Sequence, residues 1–209
     1  MHCIRAVNPS QAWIQAVKYI WKKGEIVFDK NERLRETLNI VLEVQNPTER
    51  NEDIEKLIPK EFFQEVMDLT FKKEPNEKWG YSYGERIFNY KGINQIQWVV
   101  NRLNKNSTTK SATIGTLMPE KDMKAEHIPC MNLLDFKKRD GRLNLAVVFR
   151  SHDYGKKALP NFIALGELLK QVSKATDSEI GKIICHSISA HIYESEFETI
   201  KHIMSASEF

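Results

Sequence analysis

CMNLLDFKKRDGRLNLAVVFRS, residues 130–151, is the stretch on which the fold turns. Two strand-like apolar runs, CMNLLDFKKRD and LNLAVVFRS, are separated by RDGR, and an Asp-Gly pair between such runs marks a tight hairpin. The hairpin lays the second run back along the first, so Arg150, twenty residues beyond Cys130, returns beside it. Just upstream, Pro129 fixes its own φ and restricts Ile128, so the chain enters Cys130 with little backbone freedom. A small cysteine at the start of a strand is either core packing or a held nucleophile, and neighbouring residues must decide between them.

Outward from this hairpin the pattern is α+β. After Asn8-Pro9-Ser10, with Ser10 as the expected cap, QAWIQAVKYIWKKGE sets Trp13, Ala16, Val17, Ile20 and Trp21 at helical spacing, with Gly24 as the stop. ETLNIVLEVQNP alternates from Leu38 through Val44 and ends at Pro47, which predicts a half-buried strand. TERNEDIEKLIPK reads as a solvated loop or short helical turn; KEFFQEVMDLTFKK (60–73) and GINQIQWVVNRLNKN read as the second and third helices. SATIGTLM is a further strand, Pro160 introduces a long helix over NFIALGELLKQVSKAT, KIICHSISAHIY returns as a strand, and SEFETIKHIMSA closes the chain as an amphipathic segment. With no repeat, linker or low-complexity tract, residues 1–209 are expected to form one domain around a large mixed sheet flanked by helices.

The 209 residues are 41% hydrophobic and 28% charged, and 31 Lys and Arg stand against 28 Asp and Glu. That surplus is too weak and too spread to argue for nucleic acid as a partner. Cys3, Cys130 and Cys185 are odd in number, widely spaced and without a CxxC pair, so neither a disulfide framework nor a metal site is indicated. No signal peptide opens the chain and no apolar run approaches the roughly 20 residues that span a bilayer, so a cytoplasmic protein without membrane contact is expected.

Arg150 ends an apolar strand, where a guanidinium is either a rigid phosphate-binding fork or half of a surface ion pair. Near Cys130 it would also favour the thiolate, and lowering a thiol from about 8.5 to about 7 makes half of it reactive at neutral pH. His191 and Tyr193, two apart on a strand, point to one face and suit a sugar hydroxyl, although an ordinary exposed sheet face gives the same pattern. Asn161, just before the long helix, either caps it or reads a base edge with one acceptor and two donors. Glu65, taken alone, is one acid on an acidic helix face.

Taken together, Pro129-Cys130, the Asp140-Gly141 turn, Arg150-Ser151 followed by Asp153, Asn161 eight residues later and His191-Ile192-Tyr193 resemble the thymidylate synthase family in spacing without a gap. YSYGERI resembles that family's VYG element, and the chain is most similar to its compact archaeal members; looser similarity runs over residues 10–118. The resemblance implies a homodimer that uses a sheet face for dimerisation. It implies a pyrimidine nucleotide substrate, most simply dUMP, and a methylene-tetrahydrofolate or related tetrahydropterin donor, tetrahydromethanopterin included. It implies Cys130 adding to C6 of the ring, Arg150 and Ser151 on the 5′-phosphate, His191 and Tyr193 on the 3′-hydroxyl, and Asn161 on O4 and N3. Asp153 would hold the pterin, Glu65 relay protons through water, and Tyr83 assist removal of the C5 proton. Relatives that hydroxymethylate dCMP carry aspartate at the Asn161 position, so the asparagine points to dUMP.

The match departs around the nucleotide. The Arg-Arg pair that family members lend to the partner's phosphate site reads Thr109-Lys110-Ser111, keeping one charge at Lys110 without the fork. Met131, Phe149 and Ser189 stand where His, Gln and Asp are usual. The chain ends 16 residues after Tyr193, without the long extension that excludes water from the pterin, which leaves a nucleotide hydroxymethylase as the alternative product class. A silent nucleotide-binding dimer is the third reading.

Overall fold

A computed structural model describes residues 1–206, so the last three positions of the expected domain lie outside the described residues. In chain order the elements are β1 (His2–Ala6), α1 (Pro9–Lys23), β2 (Glu25–Asp29), β3 (Glu32–Val44), α2 (Glu52–Glu55), α3 (Lys60–Phe71), α4 (Tyr83–Phe88), α5 (Gln95–Lys105), β4 (Thr113–Gly115), α6 (Pro119–Asp122), β5 (Met131–Arg139), β6 (Arg142–Asp153), α7 (Ala158–Ala175), β7 (Glu179–Tyr193) and α8 (Phe197–Ala206). The strands form one sheet in the order β1-β3-β7-β6-β5-β4, with β2 folded against β3. β1–β3 and β6–β7 are parallel and the other pairs antiparallel, which makes the sheet mixed, as expected. The parallel β6–β7 pair needs a long crossover, and α7 supplies it.

The decisive hairpin forms as read. Arg139 pairs with Arg142, so Asp140 and Gly141 are the two-residue loop, both with left-handed φ (49° and 76°). That is the geometry for which an Asp-Gly pair is favoured. Register then decides what is buried. Leu134, Val147, Cys185 and Leu42 line up across β5, β6, β7 and β3, and all four are buried under the helices. One residue along, Leu133, Val148, His186 and Val41 occupy the opposite face, where all four are half-buried or exposed. Leu38 (57% exposed) and Ile188 (40%) add apolar surface beyond that row.

Trp13, predicted on the apolar face of α1, is fully buried and donates its indole N–H to the Tyr154 carbonyl at 2.8 Å, tying α1 to the end of β6. Several local readings are corrected. Asn8, not Ser10, caps α1, because its side chain accepts from Gln11 N. Gly24 stops α1 in an extended conformation; a Cβ there would lie 2.5 Å from the Ile20 carbonyl, so close approach and not positive φ requires the glycine. The strand within SATIGTLM shrinks to Thr113–Gly115. α7 begins at Ala158, so Asn161 lies inside its first turn, donates its backbone N–H to the Lys157 carbonyl, and does not cap the helix. β1 and β2, short and at one end of the sheet, are additions to the sequence reading.

Candidate active site

The polar side chains collect where β6 and β7 end and β5 begins. The β6–β7 register pairs Ser151 with Ser189 and Asp153 with His191, while Arg150 N donates to the Cys130 carbonyl at 2.8 Å. A register shift between Met131 and Leu133 bends the start of β5, the kind of irregularity that re-aims a side chain, and the Asn132 amide braces it by donating to the Pro129 carbonyl.

Cys130 is half-buried, and its Sγ lies 3.7 Å from Arg150 Nη2. The arginine is spent in part on the loop: Nε donates to the Pro129 carbonyl (3.0 Å) and Nη2 to the Ile128 carbonyl (2.8 Å). Among the described residues no carboxylate pairs with it, so its charge stays uncompensated and both Nη1 N–H groups remain for an anionic ligand. Burial pushes the Cys130 thiol up, and this outweighs the opposing pull of Arg150 and Lys157. The expectation of a thiol lowered toward neutrality is therefore corrected: the guanidinium moderates a desolvation that it does not overcome.

Tyr83 opens α4, where Ser82 caps the helix. Its buried hydroxyl accepts from Cys130 N (3.2 Å) and Met131 N (3.1 Å), fixing the cysteine's backbone and leaving its own O–H to donate. Burial, then the nearby Cys130 and Tyr81, hold it well above the usual phenol range, so it stays protonated.

Glu65, on α3, pairs with Lys157 Nζ at 3.0 Å. Burial alone would raise its carboxyl, but the Lys157 hydrogen bond and charge, with Lys78, bring it below the usual range. Lys157 and Lys78 also lie over the Trp79 ring, at 4.8 and 4.6 Å from its centroid, and Trp79 itself helps to hold the Glu65 carboxyl down. Asp153 ends β6; its Oδ1 accepts from Gly155 N (2.9 Å) and Lys156 N (3.2 Å), and burial raises its carboxyl despite the opposing His191.

His191 and Tyr193 do share a face, their rings meeting edge to face at 4.8 Å. Ser189 donates to Glu36 (2.5 Å) and so accepts from His191 Nδ1 (3.3 Å), which leaves the buried His191 Nε2 as an acceptor with no partner among the described residues. An orphaned buried nitrogen of this kind suits a ligand O–H. Tyr193, half-buried, is pushed up to about 12 by burial and then by Asp153. Ser151 is half-buried on the same strand end. Asn161 lies within hydrogen-bond reach of His152 Nε2, at 3.2 Å.

One expected residue stands apart. Lys110 lies exposed in the loop between α5 and β4, and among the described residues no hydrogen bond or ion pair joins it to this cluster within the chain. Conversely, Lys157, Trp79, His152 and Ser187 belong to the site or its support although the spacing argument did not single them out. Lys157, four residues before Asn161 in YGKKALPN, was recoverable as one helical turn away; Trp79 carried no signal.

Comparison with known proteins supplies the family. The family model described as thymidylate synthase matches residues 13–209. A protein of Methanosarcina acetivorans named "Putative thymidylate synthase" is 32% identical over 203 residues, covering 96% of this chain and 94% of its own. Similarly named proteins of Methanothermobacter marburgensis (31% identical; 93% and 94% covered) and Methanocaldococcus jannaschii (28%; 96% and 95%) align over nearly the same length. The chain therefore belongs to the thymidylate synthase family, methyltransferases that move a one-carbon unit from a methylene-tetrahydrofolate-type donor to C5 of a pyrimidine nucleotide.

Proposed function

We propose that this protein converts dUMP to dTMP, Cys130 adding covalently to C6 of the uracil. The observation that carries the reading is the Cys130 sulfur 3.7 Å from a guanidinium that lacks a carboxylate partner among the described residues, a nucleophile and an anion site in one place. Arg150 binds the 5′-phosphate through Nη1 with Ser151 beside it, while its other N–H groups hold the cysteine loop and temper the thiol. Attack forms the Sγ–C6 bond and moves electron density through C5 to O4, so C5 becomes a carbon nucleophile. Asn161 meets N3–H and O4 and stabilises that developing charge. His191 Nε2 accepts from the deoxyribose 3′-hydroxyl, with Tyr193 beside it.

The residues present fit a tetrahydropterin: Asp153 offers carboxylate oxygen to ring N–H donors, and the Trp79 ring lies under two lysines beside Glu65. When bound, the donor would supply the methylene carbon and the hydride that completes the methyl group, as the methylene form of either tetrahydrofolate or tetrahydromethanopterin could. Glu65, kept ionised by Lys157, relays protons through water, and Tyr83 assists departure of the C5 proton by donating to the water that takes it. Expulsion of Cys130 then restores the ring double bond.

The uncovered sheet face, with Leu133, Val148, Leu38 and Ile188, supports a homodimer through that face, and Lys110 then serves the partner's phosphate site. Three free cysteines support a cytoplasmic setting. Product mass after incubation with dUMP, formaldehyde and either tetrahydropterin tests the reading: dUMP plus one methyl group is expected. A hydroxymethyl product, or no product with either donor, would overturn it.

A further inference from the structure

Behind Asn161 runs a buried polar chain that the reaction above leaves unused. His152 is enclosed: its ring stacks on Phe149 (centroids 3.9 Å apart, 4° between planes) and meets Tyr154 and Phe162 at 4.9 and 5.5 Å. Both ring nitrogens are engaged. Nε2 lies 3.2 Å from Asn161 Nδ2 and Nδ1 lies 2.9 Å from Ser187 Oγ, which in turn meets Tyr154 Oη at 3.0 Å and Cys185 Sγ at 3.8 Å. Burial, helped by His191, lowers this imidazole to about 3, so at neutral pH one nitrogen carries a hydrogen and the other does not.

A primary amide has a two-point face, its carbonyl oxygen and the N–H on the same side, while its second N–H points away. Here an Asn161 N–H reaches His152 Nε2, which must therefore accept, and the ring hydrogen sits on Nδ1 and is donated to Ser187. Ser187 keeps its own hydrogen for Tyr154 or Cys185. Turning the amide over would set its oxygen against Nε2, two acceptors face to face, unless the ring hydrogen moved to Nε2 and the whole chain reversed, Ser187 donating to Nδ1 and accepting from Tyr154 or Cys185.

Uracil presents an N3–H donor beside an O4 acceptor, and cytosine an N3 acceptor beside an amino donor. The two-point amide face fits either base, in opposite orientations, so an asparagine selects uracil only if it cannot turn over. We infer that His152, held by Ser187, locks the Asn161 amide in the orientation that reads uracil, and is a positioning residue for base choice. The inference rests on Asn161 being the residue that faces the base.

The experiment compares kcat/KM for tritium release from 5-labelled dUMP and dCMP in the full chain and in His152→Phe, Ser187→Ala and Asn161→Ala. The dUMP-to-dCMP ratio is expected to fall at least tenfold in His152→Phe and by a smaller factor in Ser187→Ala. An unchanged ratio in these two, with dUMP turnover collapsing in Asn161→Ala, overturns the lock and leaves the reading of Asn161 standing. Turnover indifferent to Asn161→Ala overturns that reading itself. Should His152→Phe fail to fold, ¹⁵N NMR of the unaltered chain decides: hydrogen on Nδ1 of His152 is expected, and hydrogen on Nε2 or a ring cation at neutral pH overturns the lock.

Discussion

Arg86 and Arg150 both bond to the segment between β4 and β5, at Thr116 and Asp122 and at Ile128 and Pro129, and they hold their charge in opposite ways. Arg86, fully enclosed, is gripped by the Asp122 carboxylate through two bonds, Nη2 to Oδ1 at 2.7 Å and Nη1 to Oδ2 at 3.1 Å, with the Tyr81 and Tyr90 rings flanking its guanidinium. Its charge is cancelled, and the pair fastens α4, which presents Tyr83 to the Cys130 backbone, to α6. Arg150 is satisfied by neutral carbonyls and a thiol, so its charge survives. A neutralised arginine builds the scaffold; one held by dipoles alone keeps its field for an anionic substrate.

The contrast breaks most visibly at Asp122. Asp122→Ala leaves buried Arg86 with only the longer Glu85 contact at 3.7 Å and is expected to lower the unfolding free energy by about 3 kcal/mol, with much of the loss recovered in Arg86→Met/Asp122→Leu. Denaturant midpoints measure both. A loss within the ~0.5 kcal/mol of an ordinary surface change would mean the pair does not hold α4 to α6.

Arg150→Met inverts the pattern. It forfeits hydrogen bonds worth roughly 1–3 kcal/mol of stability, while kcat/KM for dUMP falls at least about 100-fold, close to 2.7 kcal/mol of transition-state stabilisation. If steady-state kinetics leave the nucleotide KM unmoved while stability falls as far as in Asp122→Ala, Arg150 is scaffold like Arg86.

The smallest effect sharpens the comparison by pH. Only the thiolate alkylates, and burial favours the neutral thiol, so the iodoacetamide rate at Cys130 should climb with pH through a midpoint above the ordinary thiol value. Arg150 and Lys157 both pull that midpoint down, so Arg150→Met and Lys157→Met move it further up. Peptide mass spectrometry separates Cys130 from the exposed Cys3, and a midpoint that falls in either variant would assign the wrong sign to these charges.

What was legible in sequence follows the same physics. The 130–151 hairpin, α1, α3, α5, α7 and β7 announce themselves because period and turn chemistry are local. The nearness of Cys130 to Arg150 was legible to within one residue because a two-residue turn fixes register as far as Leu133; the shift between Met131 and Leu133 that sets Cys130 against Arg150 was not. β1, β2 and the short helices α2, α4 and α6 are too brief or too exposed to carry a period. Of the two alternatives for Asn161, the cap fails because Pro160 marks the third residue of α7 and not its entrance. Lys157 over Trp79, and the Ser187–His152–Asn161 chain, depend on side chains from separate elements meeting in space, which spacing along one segment does not encode. The thiol's direction was missed for a related reason: charge partners are visible in sequence, desolvation is not.

Hydrogen exchange at C5 requires the ring to be saturated at C6 first, whatever carbon donor follows. Tritium release from [5-³H]dUMP should proceed in the unaltered chain and vanish in Cys130→Ala while that variant keeps its fold by circular dichroism. Release that persists without the thiol would show that Cys130 is packing after all.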